Sequence, residues 1–88
     1  MAHKYRITVE ALDSPARDSM QFDVENHDDI LVVVEKMSGR EEFSGDDAKA
    51  FGVGLKLFSE VMLKNKQAPL FANFIPHFVN FMKELKKR

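Results

Sequence analysis

His27, Asp28 and Asp29 stand together in the chain, the one place where an imidazole and two carboxylates are neighbours. A carboxylate beside a histidine is the elementary arrangement for moving protons near neutral pH. The same cluster has a simpler reading. It falls just before an apolar stretch, where carboxylates favour a helix N-terminus by roughly 0.3 to 1 kcal/mol. Asp46 and Asp47 form a second carboxylate pair at a similar place. His3, His27 and His77 lack the four-residue spacing that puts two ligands on one helix face, and the chain has no cysteine, so no metal centre is encoded locally. Ser14, Ser38 and Ser44 sit among turn and cap residues without a nucleophile elbow. Gly39, Gly45, Gly52 and Gly54 do not form a phosphate-binding loop. No catalytic residue and no cofactor is therefore expected, and an enzyme built on His27 with Asp28 or Asp29 ranks last among the functional readings.

The 88 residues are 44% apolar and 31% charged, which fits one small ordered domain over residues 1–88 and excludes intrinsic disorder. Without cysteine the chain has no disulfide to strengthen a thin core, and a reducing cytoplasm is the expected setting. The first residues, MAHKYRITVEALD, lack the apolar run of a signal peptide, and no stretch approaches the roughly 20 apolar residues that span a bilayer. Charge is unevenly placed. Residues 1–47 carry five Lys or Arg against twelve Asp or Glu, a net of −7, and residues 48–88 carry eight against two, a net of +6.

The elements that must position these residues can be read from periodicity. Tyr5, Ile7, Val9 and Ala11 alternate with polar neighbours, predicting a strand over residues 4–12. Turn formers follow over residues 13–18, and alternation resumes with Met20, Phe22 and Val24, so the two runs form a β-hairpin in which Lys4 and Arg6 face Asp23 and Glu25. Residues 30–37, ended by Gly39, suit a short helix on the spacing of Ile30, Val33, Val34 and Met37. Three consecutive valines would also suit a third strand. Ser44 caps a long helix running to about Lys64, with Asp46 and Asp47 in its first turn. Its predicted seams are Phe51, Leu55, Phe58 and Met62 on one side and Ala50, Val53, Leu57 and Val61 on the other, leaving Lys49, Lys56 and Glu60 for water. Gly52 and Gly54 mark a close crossing by the hairpin or another helix. Pro69 opens a short turn, and Pro76 heads a last helix that buries Phe78, Val79, Phe81, Met82 and Leu85. The expected architecture is α+β: an N-terminal hairpin followed by three helices (ββααα) packed on one face.

HKYRITVE at residues 3–10, ENHDD at 25–29, VGLKLFSEVMLKNK at 53–66 and PLF at 69–71 together resemble DUF3861, a small bacterial family whose domain has no known function. The resemblance spans nearly the whole chain. It implies a bacterial origin and supplies no activity, substrate or catalytic position.

Six of the eight cations beyond residue 47 are helix-end residues, which accounts for much of the charge asymmetry. One basic tail in a chain of pI about 6.3, with a single tyrosine and no tryptophan, argues against nucleic-acid binding and against stable membrane attachment. The stronger partner signal is apolar. Phe71, Phe74, Ile75, Phe78, Val79, Phe81 and Met82 crowd one short segment. Phe78 and Phe81 are assigned to the core, and Phe71, Phe74, Ile75 and Met62 to an interface. The leading expectation is a non-enzymatic interaction or homodimerisation module. A small-molecule binding protein with a Phe-lined pocket is the first alternative.

Overall fold

The computed structural model describes residues 2–14 and 18–87. Strands β1 (His3–Val9) and β2 (Met20–Asn26) form an antiparallel hairpin. One face pairs Tyr5 with Val24, Ile7 with Phe22 and Val9 with Met20; the other pairs Lys4 with Glu25 and Arg6 with Asp23, the register that the charges required. The Arg6 guanidinium donates to both Asp23 carboxylate oxygens, at 2.8 and 3.2 Å. These hydrogen bonds hold the exposed Asp23 carboxyl below its ordinary value. Strand β1 ends at Val9 and not at Leu12, because β2 begins opposite Val9 and leaves residues 10–12 without a strand partner. Leu12 is accordingly exposed. The turn expected over residues 13–18 includes Pro15, Ala16 and Arg17, which lie outside the described residues, as does Arg88 of the basic tail.

Helix α1 (Ile30–Met37) settles the valine stretch as helix. Its N-terminal donors are met by Asp29, whose Oδ1 accepts from the Leu31 and Val32 amides. Gly39 does not end the helix through a left-handed residue: Ser38 and Gly39 donate back to Val34 and Lys36 in right-handed turns, and the left-handed glycine is Gly45, at φ 57°. Helix α2 (Asp47–Lys64) then begins with the Ala50 amide donating to the Asp46 carbonyl, which puts Asp46, not Ser44, at the cap position.

Along α2 the buried positions are Ala48, Gly52, Ser59 and Met62, with half-buried Leu55 in the same row. The row keeps steps of three and four residues, the period of one helix face. It shares Leu55 and Met62 with the first apolar seam expected from the sequence and lies on the side of that seam away from the second, because small residues occupy the closest approach. At Gly52 a Cβ would stand 2.9 Å from Val34 Cγ2 and 3.3 Å from Val34 Cα, so the crossing element is α1. Nothing comes near Gly54. Lys56, expected in water, is half-buried for a reason given below.

The chain divides into two compact units, Met1–Leu57 and Phe58–Arg88. The second holds the end of α2, then α3 (Pro69–Ala72) and α4 (Ile75–Lys86). Among the described residues the helices number four, not three. Pro69 at the start of α3 presets one helical turn, and Pro76, in the first turn of α4, begins the next.

Candidate functional site

In the first unit the ENHDD stretch is a joint between sheet and helices. Asn26 closes β2 with its side chain buried. Its Oδ1 accepts from the Asp28 amide at 3.0 Å, and its Nδ2 donates to the Lys56 carbonyl of α2 at 2.9 Å. Lys56 Nζ meets Asp28 Oδ2 at 2.7 Å, which draws the lysine side chain down to 15% exposure. The Tyr5 hydroxyl of β1 donates to Asp29 Oδ1 at 3.2 Å and accepts from the amide of buried Ile30 at 2.9 Å. Tyr5, Asn26, Asp28, Asp29 and Lys56 thus tie β1, β2, α1 and α2 together.

That network decides what the one acid–base cluster can do. Asp29 is committed to the helix cap and to Tyr5, and Asp28 to Lys56. A general base must reach a substrate proton with a free lone pair. Here both carboxylates beside His27 have structural partners, and His27 is exposed. Among the described residues no three His, Asp or Glu side chains gather where a metal ion would sit.

The second unit places the candidate interface. Phe58, from the end of α2, stands edge-on to Phe71 of α3, with ring centroids 6.2 Å apart, and to Phe74, at 6.0 Å. Phe74 in turn lies 6.2 Å from Phe78 of α4. Such edge contacts favour aromatic pairs by about 0.5 to 1.5 kcal/mol beyond their burial. The cluster is nevertheless open. Phe58 is 45% exposed and Phe74 42%, and on α4 Phe81 is 44% and Val79 46% exposed.

Of the residues assigned to an interface, Phe74 is at the surface, Phe71 and Ile75 are half-buried, and Met62 is fully buried and offers nothing to a partner. Phe81 and Val79, expected in the core, stand at the surface, while Phe78, Met82 and Leu85 form the covered row of α4. The apolar arc of α4 is wider than its covered side. Phe74 and Phe81 fall on one flank of that row and Val79 on the other, a division that helical spacing contains once the covered row is known. Phe58 was assigned to a core seam and is the residue that sequence reasoning missed.

The fold is an antiparallel hairpin joined by a polar latch to α-helices, with an open aromatic cluster near its C-terminus. Among the described residues no helix is long and apolar enough to cross a membrane. The chain belongs to the DUF3861 family, described as a domain of unknown function with a solved structure, whose model matches residues 3–87. It is similar to a crystal structure, at 2.20 Å resolution, of a protein of unknown function from Pectobacterium atrosepticum, with 39% identity over 100% of both chains and a TM-score of 0.92. No curated protein matches the chain.

Proposed function

We propose that the chain is a non-enzymatic, cytoplasmic protein-interaction module, and that its docking surface is the open phenylalanine cluster of the second unit. The observation behind this reading is the exposure of Phe58, Phe74 and Phe81, each above 40%. Leaving nearly half of a phenylalanine side chain in water forgoes roughly 1 kcal/mol of burial. Three such residues together make the kind of apolar patch that soluble proteins rarely leave exposed without a partner. Phe71 and Ile75 back this surface. The commitment of Asp28 and Asp29 to structural roles supports the non-enzymatic part of the reading.

The test is photo-crosslinking in cells, with a benzophenone-bearing phenylalanine analogue at position 74 or 81 and, as control, at the exposed polar position Asn80. A discrete protein adduct from positions 74 and 81, absent from position 80, is expected. Equal labelling at all three positions, or none, would remove the Phe surface as a docking site.

A further inference from the structure

Helix α2 keeps a second face that is largely exposed among the described residues. It consists of Asp47, Ala50, Gly54, Leu57, Val61 and Lys64, at steps of three, four, three, four and three residues. That spacing is the seam by which two helices wind together. Asp47, Ala50, Gly54, Val61 and Lys64 are exposed, Val61 to 52%, and Leu57 is half-buried. A Cβ built on Gly54 would meet nothing within 4 Å beyond its chain neighbours and its own helical backbone. Glycine weakens an exposed helix interior, so its presence there suits a close approach from outside the chain.

We propose that a second copy of this chain occupies this face, the two α2 helices packing antiparallel about a two-fold axis at the level midway between Leu55 and Lys56. The proposal rests on the reading of the chain as an interaction module and names a second copy as its partner on a different face. Charge complementarity selects the antiparallel direction. It sets Asp47, in the first turn, opposite Lys64 of the second copy, in the last turn, at both ends of the seam. A parallel pair would set aspartate against aspartate and lysine against lysine. Among the described residues neither Asp47 nor Lys64 has an ion pair within the chain.

Side-chain size points the same way. The antiparallel register puts Gly54 opposite Leu57 and Ala50 opposite Val61, a small residue facing a larger one at each inner layer, whereas a parallel register stacks Gly54 on itself and leaves a gap. The helix dipoles are opposed in this arrangement and add to the attraction. Half-buried Val53 and exposed Phe58 flank the seam.

The test is sedimentation equilibrium of the full chain at low salt over a hundredfold range of concentration. Wild type is expected to reach twice its 10.1 kDa mass. Gly54→Glu, which adds a helix-favouring side chain in open space, is expected to raise the dissociation constant about tenfold or more while keeping the far-UV spectrum. Asp47→Lys and Lys64→Glu each turn two attractions into two repulsions and are expected to weaken self-association several-fold. Mixed together they are expected to pair, because each then meets its complement at both ends. A monomeric wild type, a dimer indifferent to Gly54→Glu, or single variants that do not rescue each other would overturn the proposal. Phe74→Ser is expected to leave this dimer intact. If it alone dissolves the dimer, the pairing belongs to the Phe surface and the α2 inference fails while the interaction reading stands.

Discussion

Asp29 shows how much one side chain can be asked to do. Its Oδ1 accepts from two helix amides and from the Tyr5 hydroxyl, and that hydroxyl accepts from the amide of buried Ile30. Asp29→Ala is expected to cost about 1 to 2 kcal/mol, the range of a lost helix cap. Tyr5→Phe is expected to cost about 1 to 3 kcal/mol by leaving a buried amide without an acceptor. Because the two share one network, the double variant is expected to cost less than the sum. Urea unfolding of the four proteins measures this, and strict additivity would show that the two residues act separately. Asp29 was legible from sequence as a cap former, whereas the pairing of Asp28 with Lys56 was not. The link to Tyr5, 24 residues away, was not, because alternation says which face a tyrosine lies on and not where its hydroxyl ends.

At the scale of elements, periodicity served well where residue size and burial agree. The hairpin register followed from apolar alternation and from Arg6 and Lys4 meeting acids. Helix α2 is the counterexample: its covered row is largely small or polar, with Ala48, Gly52 and Ser59, so a search for bulky apolar residues finds Leu55 and Met62 and passes over the other members of the row. The two glycines make the point measurable. Gly52→Ala drives a Cβ against the Val34 side chain and backbone and is expected to destabilise by about 1 to 3 kcal/mol. Gly54→Ala meets open space and is expected to stabilise the dilute protein by up to about 1 kcal/mol. Thermal melts at low concentration check both, and equal signs would mean that the α1–α2 crossing is not set by Gly52. One helix thus holds two glycines of opposite meaning, indistinguishable in the sequence.

The whole molecule returns to its charge. A net of −7 over residues 1–47 and +6 over residues 48–88 leaves a near-neutral total, and helix ends explain part of the split. The proposed antiparallel α2 pairing would use it directly, setting the acidic first turn of α2 in one copy beside the basic last turn in the other. Self-association of this kind must appear in thermal stability, because folding is then linked to dimer formation by mass action. For a fully dimeric protein, each tenfold rise in concentration adds about 1.4 kcal/mol per dimer, or about 0.7 kcal/mol per chain. For a domain of this size that raises the melting temperature by roughly 3 to 5 °C. Gly54→Glu is expected to show this rise only at concentrations about tenfold or more higher and, at high dilution, to melt no lower than wild type, since glycine is then replaced by a better helix former. A flat melting temperature for wild type as well would mean that the exposed α2 face stays in water and that the charge split serves only the helix ends.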